Sequence, residues 1–285
     1  MFDAALEQQM QRSRGRALVS FRLRNGQTRL LDLQQSGSAK AMLPRVAGAV
    51  PEVVFLNTSG GLTGGDTLSY TIDVAAGGQV CATTQTAERG YASLGAAARV
   101  EVKATVGAAG RLDWMPQETL LYEHAHLARR TEIELAADAT CVLAEAVILG
   151  RHAMGEAPQQ AQLNDFRMVR RSGRPVWAET FVVNQAVLAT ASMPALLGTA
   201  RAFAVVALIA PGAADAVTAV RAILNEPGST AAASGWDGKC VVRILARDSW
   251  PLKRQLARVI AVLTGTGLPR VWQMPDVLQS HEVAR

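Results

Sequence analysis

Apolar and polar positions alternate near the start of the chain. Val19, Phe21 and Leu23 are separated by polar neighbours, Asn25-Gly26 follows, and Leu31 and Leu33 continue beyond it. A period of two predicts a strand with one buried face, and Asn-Gly between two such runs predicts a type I′ hairpin. VVFLN, Val53 to Asn57, reads as a further strand feeding the glycine-rich stretch NTSGGLTGGD, Asn57 to Asp66; LSYTIDV after it is again strand-like.

A degenerate repeat comes next. Val74, Gly78, Val80 and Gln85 recur as Val106, Gly110, Leu112 and Gln117, all at an offset of 32. A third copy sets Leu135 and Cys141 at an offset of 29 from Val106 and Leu112. Each unit is strand, short turn, strand, too narrow to bury its own apolar face. Stacking the units buries those faces, as in β-solenoids and helical sandwiches. A plain antiparallel sandwich is the competing arrangement.

Helical spacing appears late. Val217, Val220 and Leu224 predict a helix over Ala213–Leu224, ended by Asn225 and Pro227. A stronger helix has Ser249 as its cap, Pro251 in its first turn and Gly265 at its end. Leu252, Leu256, Val259, Ile260 and Leu263 form its apolar stripe, with Lys253, Arg254 and Arg258 opposite. Between the helices, Trp236-Asp237-Gly238 makes a turn and CVVRIL begins a strand. The fold class expected is mainly β: a helical β-sandwich or β-solenoid-like scaffold with two α-helices in its C-terminal part. No linker divides the chain, so 1–285 reads as one domain.

Composition narrows the function classes. Apolar residues at 49% and charged residues at 19% supply a core and exclude disorder. Aromatics at 5% argue against a sugar-binding groove, which needs stacking platforms. The net charge of +5 comes from scattered arginines, so no nucleic-acid groove is expected. Cys81, Cys141 and Cys240 lie far apart, as reduced thiols of a cytosolic protein do. The longest apolar run, Ala202 to Ala210, is about half a membrane span, and MFDAALEQQMQRSRGR has no apolar signal segment. A cytoplasmic protein with no membrane partner is expected.

The glycine run fails as a phosphate loop. It lacks the lysine of a P-loop, its glycines come as doublets, and a strand pattern follows where a helix is needed. A sharp strand reversal is the better reading. There is no G-x-S-x-G elbow. His124-Ala-His126 places both imidazoles on one face of a strand, a weak two-ligand metal contact, and His281 in the tail QSHEVAR is a further candidate. Asp66, Glu88, Asp113, Glu118, Glu145 and Glu156 sit beside apolar or glycine-rich stretches. Glu145 stands out, because a carboxylate in a buried strand needs a partner. Lining an internal channel is one such arrangement.

Five stretches together resemble the UreD (UreH) family of urease accessory proteins. They are Asn57 to Asp66, Thr83-Thr-Gln-Thr86 with Tyr91, Leu112-Asp-Trp-Met-Pro-Gln-Glu-Thr119, Leu149-Gly-Arg151 with Met154-Gly-Glu156, and Leu268-Pro-Arg-Val-Trp272. The chain departs from the family where Thr58-Ser59 replaces a common Pro-Pro, and where Ala87-Glu88-Arg89-Gly90 stands near the usual Ala-Thr-Lys. The resemblance implies an elongated β-rich scaffold that is not an enzyme and assists nickel incorporation into urease. It implies binding to UreF, through it to UreG, and to the urease apoprotein, with a polar path for Ni²⁺ and no tightly bound cofactor. A conduit must hold the ion weakly, which suits oxygen donors and not thiolates. Asp66, Thr84, Gln85, Glu118 and Glu145 are the expected transit residues, and Arg254, Arg258, Arg270 and Trp272 the expected partner-binding residues. A β-solenoid enzyme acting on an extended polymer is the alternative, marked by aligned carboxylates on one face.

Overall fold

The computed structural model describes residues 12–45, 48 and 50–272. It opens with the hairpin of β1 (Arg14–Arg24) and β2 (Gln27–Gly37). Asn25 and Gly26 turn it with φ of 52° and 72°, the pair of left-handed residues a type I′ turn requires. β3 (Ala39–Met42) and β4 (Glu52–Asn57) pair antiparallel.

From β4 the chain coils. The first turn is β5 (Thr67–Val74), β6 (Gln79–Thr84) and the short β7 (Glu88–Gly90). The second is β8 (Ala98–Val106), β9 (Arg111–Trp114) and the short β10 (Thr119–Leu121). The third is β11 (His126–Leu135) and β12 (Thr140–Leu149), after which β13 (Gln162–Arg171) returns through β14 (Arg174–Val183). Helix α1 (Gln185–Thr190) leads to β15 (Ala202–Ile209), α2 (Ala216–Ala222), the hairpin β16 (Ser229–Trp236) and β17 (Lys239–Ala246), and α3 (Ser249–Thr264).

Within the coil the longer strands β5, β6, β8, β9, β11, β12 and β13 alternate between two sheets. The seven-stranded sheet runs β14-β13-β11-β8-β5-β1-β2, and β1, β5, β8, β11 and β13 within it are parallel. The ten-stranded sheet runs β16-β17-β15-β12-β9-β6-β4-β3, with β10 joined to β12 and β7. The repeat offsets are the strand registers. Val74 pairs with Val106 and Val106 with Leu135 in one sheet; Val80 pairs with Leu112 and Leu112 with Cys141 in the other. This parallel stacking decides for the helical sandwich over the plain antiparallel one.

One core fills the space between the sheets, where Tyr70, Ile72, Val102, Leu112, Trp114 and Leu143 meet. A second lies behind β12, β15 and β17, covered by Leu252, Leu256, Val259 and Ile260 of α3. β12 is therefore buried on both faces, which explains why apolar residues fill consecutive positions on either side of Glu145. Its odd-numbered residues Leu143, Glu145 and Val147 face inward between the sheets, while Val142, Ala144 and Ala146 pack toward α3. The run Ala202 to Ala210 is explained likewise: it is β15, paired on both edges by β12 and β17.

The helices differ from expectation in detail. Residues Ala213–Asp215 form a 3-10 turn ahead of the shorter α2. The α3 cap is Asp248, one residue before Ser249, and its carboxylate accepts the Trp250 N–H at 2.8 Å. Gly265 ends the helix with φ of 65°. α1 has no counterpart among the predicted helices, because six residues are too few to display an apolar stripe. Among the described residues no helix is long and apolar enough to cross a membrane.

Candidate functional site

The glycine run is a strand reversal between β4 and β5. Gly60, Gly61 and Gly65 take φ of 79°, 152° and 88°. A Cβ on Gly61 would lie 2.3 Å from the Tyr91 ring and 2.9 Å from the Arg89 carbonyl oxygen, so close packing also demands glycine. Asp66 closes the turn. Its carboxylate accepts the N–H of Ser13 at 2.7 Å and of Thr63 at 2.8 Å. The loop Leu149–Glu156 is built similarly, with Glu156 accepting from Arg151 Nε at 2.6 Å and from the Glu123 N–H at 3.0 Å.

Glu145 projects between the sheets into a buried charged column. Its Oε1 accepts from Thr131 Oγ1 at 2.8 Å and Trp114 Nε1 at 3.1 Å; its Oε2 meets Arg167 Nε at 2.6 Å and Arg129 Nη2 at 3.3 Å. Three of these are hydrogen bonds and the fourth, from Arg129, is an ion pair, so little of the carboxylate is left without a partner. Asp165 shares both arginines, with Arg129 Nε at 2.9 Å from Oδ1 and both Nη2 atoms on Oδ2. Burial raises the Glu145 carboxyl, but Arg129 and Arg167 outweigh it and hold the group well below the ordinary range. The column continues from Arg167 through Glu179, 3.8 Å away, to the exposed Arg243, 2.6 Å beyond.

Beside this column lie two small cavities. The inner one, about 40 Å³, is lined by Tyr70, Thr84, Glu88, Thr119, Arg129 and Glu145, among others. The outer one, about 60 Å³, reaches the glycine turn and is lined by Asn57, Gly60, Gly61, Tyr70, Thr84 and Gln85, with Glu88 again a member. Tyr70, Thr84 and Glu88 thus belong to both. Burial pushes the Glu88 carboxyl up to about 7, although Asn57 Nδ2, 3.1 Å from Oε1, and the Arg89 N–H work against the rise. The Thr84 hydroxyl accepts the Gln117 N–H at 3.0 Å.

The expected transit residues divide accordingly. Thr84, Gln85 and Glu145 line the cavities; Asp66 holds the turn outside them. Glu118 is directed elsewhere, to Lys253 of α3 at 2.8 Å. Of the expected partner-binding residues, Arg254 and Arg258 meet Glu226 at 2.6 and 3.7 Å, and Arg270 Nη1 donates to the Arg45 carbonyl at 2.8 Å. Trp272 is buried, and its indole N–H reaches Thr83 Oγ1 at 3.2 Å and the Met115 carbonyl at 3.1 Å. A larger cleft, about 670 Å³, lies below the C-terminal end of α3, and of the expected site residues only Arg270 lines it.

Two expectations are corrected. His124 and His126 do not share a strand face: His124 sits in a turn with φ of 60°, while His126 Nδ1 is tied to the Gly95 carbonyl at 2.9 Å. His281 lies outside the described residues, and among those described no three His, Cys, Asp or Glu side chains cluster to hold a metal. Among the described residues, the outer face of the parallel sheet carries carboxylates mixed with cations. On the outer face of the parallel sheet Glu101 and Glu132 alternate with Lys103 and Arg130, which they meet at 3.7 and 2.8 Å.

Arg129, Asp165 and Arg167 were not singled out from sequence, yet a signal existed. On β11 and β13 they occupy the same alternating positions as Leu127, Ile133, Leu163 and Val169, the buried apolar face.

Comparison with known proteins agrees with the architecture. The family model described as UreD urease accessory protein matches residues 13–273. A urease accessory protein UreD of Cereibacter sphaeroides (strain ATCC 17025 / ATH 2.4.3) is 55% identical over 264 residues, covering 93% of this chain and 96% of its own length. That of Paracoccus denitrificans (strain Pd 1222) is 51% identical over 274 residues, covering 96% and 97%. That of Rhizobium leguminosarum bv. viciae is 39% identical over 275 residues, covering 96% and 100%. With the match spanning both sheets, the interior cavities and α3, the chain belongs to the UreD family of urease accessory proteins.

Proposed function

We propose that this chain serves urease maturation as a non-catalytic scaffold whose sandwich interior passes Ni²⁺ toward the urease apoprotein. The observation that carries the reading is the pair of adjoining cavities sharing Tyr70, Thr84 and Glu88 between the sheets. Apart from the Arg129 and Arg89 guanidiniums, the groups able to meet a cation there are oxygens, which hold a borderline divalent ion loosely, and no thiol among the described residues lines either space. In this reading Thr84, Gln85 and Glu88 touch the cargo. Glu145 lines the inner space with its oxygens held by charged and polar donors, while Asp66 and Glu118 brace neighbouring elements outside the cavities.

UreF is the proposed direct partner, with UreG recruited through it. Its docking face is the outer side of α3, where Arg254 and Arg258 are partly exposed and Val262 is exposed. Arg270 and Trp272 act from behind, anchoring the segment after α3 against β4, β6 and the stretch after β9. Family membership supports the partner assignment.

A Thr84→Leu variant tests the path by filling the shared cavity. In cells carrying the whole accessory set it sharply lowers urease activation at unchanged protein abundance and UreF capture. Full activation would overturn the path. Capture of UreF by an Arg254→Glu/Arg258→Glu variant tests the docking face, and undiminished capture would remove it.

A further inference from the structure

The outer face of the seven-stranded sheet divides into two regions of charge. Toward β11 and β13 it neutralises itself: Glu101 meets Lys103 at 3.7 Å, and Glu132 meets Arg130 at 2.8 Å and Arg170 at 3.1 Å. At the corner where β1, β5 and β8 begin it does not. Arg14 lies in register beside Thr67, and Thr67 beside Arg99; Arg16 lies beside Ser69. With neighbouring strands about 4.8 Å apart, Arg14 and Arg99 flank Thr67 at roughly 10 Å from each other. All three arginines are exposed, and their guanidiniums enter no ion pair or hydrogen bond among the described residues. Asp66, next to Thr67, is buried and spends its carboxylate on the N–H groups of Ser13 and Thr63.

A fixed loop adds apolar surface to the same corner. The Arg99 N–H donates to the Asp66 carbonyl at 2.8 Å and the Gly65 N–H to the Ala97 carbonyl at 3.2 Å, so residues 91–97 sit on the glycine turn. A Cβ on Gly64 would lie 2.0 Å from Ser93 Oγ and 2.4 Å from the Ala96 carbonyl oxygen, which leaves no room between them. From this seat the loop presents Leu94, 86% exposed, and Tyr91, 43% exposed. A hollow of about 530 Å³ beside it is lined by Arg12, Ser38, Thr63 and Tyr91, among others. Unpaired guanidiniums around a rigid apolar knob are the makings of a protein interface.

Resting on the transit reading above, we propose that Arg14, Arg16, Arg99 and Leu94 form the face on which an acidic segment of the urease apoprotein docks. Three uncompensated cations on adjoining strands complement carboxylates, and fix orientation as well as attraction. The strand residues between them, Thr67 and Ser69, offer hydroxyls and no ring for a base to stack on, which disfavours nucleic acid. The location suits a recipient. Gly61 walls both the outer cavity and the hollow, so a partner seated here adjoins the proposed path. α3, the proposed UreF face, covers the other sheet, so both partners fit at once.

Capture of purified urease apoprotein by the full-length chain held on UreF, at low and at high salt, tests this. The variants are Arg14→Glu/Arg99→Glu and Leu94→Ser, with circular dichroism to confirm folding. The arginine variant is expected to lower urease affinity by about tenfold or more at low salt and by less at high salt. Leu94→Ser is expected to lower it by about tenfold at either salt. UreF capture stays at the wild-type level in both. Wild-type urease affinity in the arginine variant would overturn the face. So would an equal loss of UreF, which would hand the corner to UreF. Self-association or oligonucleotide binding abolished by the arginine variant, with urease capture intact, would assign the corner to a second copy or to nucleic acid instead. Should Thr84→Leu block urease activation while the arginine variant captures urease normally, the path survives and the face falls. Should the arginine variant lose urease while Thr84→Leu still activates it, the face survives and the path falls.

Discussion

Between the same two sheets lie two polar groups that the fold treats in opposite ways. Around Glu145, four donors meet one carboxylate, and Asp165 binds the same two arginines. Around Glu88, a carboxyl shifted to about 7 keeps only the neutral donors Asn57 Nδ2 and the Arg89 N–H and lines both cavities beside Tyr70. The first group has the properties of a buried structural lock: charges balanced and acceptors filled. The second keeps oxygen lone pairs free at the expense of stability, which is the usual mark of a functional site. Burial alone does not tell the two apart; the count of partners does.

The largest expected effect comes from breaking the lock. Glu145→Ala leaves Asp165 as the one fully buried carboxylate beside two buried guanidiniums, with Glu179 3.8 Å from Arg167, and removing one side of such a pair destabilises by about 3–5 kcal/mol. An unfolding free energy from denaturant titration lowered by less than a fifth of that would show that the column is solvated and not a lock.

The two groups also answer pH with opposite signs. The Glu145 carboxyl is held down in the folded chain, so its stabilisation is present above the unfolded value of 4.5 and is lost as acid protonates it. The Glu88 carboxyl is raised, so its contribution is present below 4.5 and is lost as pH climbs through about 7. That loss is on the order of 3 kcal/mol at most. Glu88→Gln should therefore match wild type near pH 4.5 and exceed it in melting temperature at pH 8. Parallel curves would remove the shift.

A smaller effect belongs to the turn beside the outer cavity. Gly61→Ala drives a Cβ against the Tyr91 ring and the Arg89 carbonyl, a strain of about 1–3 kcal/mol. Chemical denaturation at pH 6 checks it. Smallest of all is Arg258→Ala. Its nitrogen is 3.7 Å from Glu226 and partly exposed, so the change should be under about 1 kcal/mol, and any loss of UreF capture beyond that belongs to docking.

Much of this architecture was legible because it is periodic. The offsets of 32 and 29 became strand registers, since each coil sends one strand to each sheet and equivalent residues end side by side. Asn25-Gly26 and Gly265 were legible because backbone left-handedness needs few residue types. Glu145 could be flagged from its apolar surroundings, but not paired, because Arg129 and Arg167 come from β11 and β13 in the facing sheet. Glu118 carried the same local signals as Thr84 and yet turns to Lys253 on α3. Glu88 could be noted among the carboxylates beside apolar or glycine-rich stretches, but nothing in the local pattern announces a cavity formed by residues from Phe55 to Glu145.

The most direct measurement is an anomalous-scattering map at the nickel edge, from crystals of the full-length chain soaked in a nickel salt. The account predicts a peak in the cavity lined by Thr84, Gln85 and Glu88, with none inside the Arg129–Glu145–Asp165–Arg167 column. Nickel confined to surface imidazoles, or lodged within the column with the Glu88 cavity vacant, would contradict it.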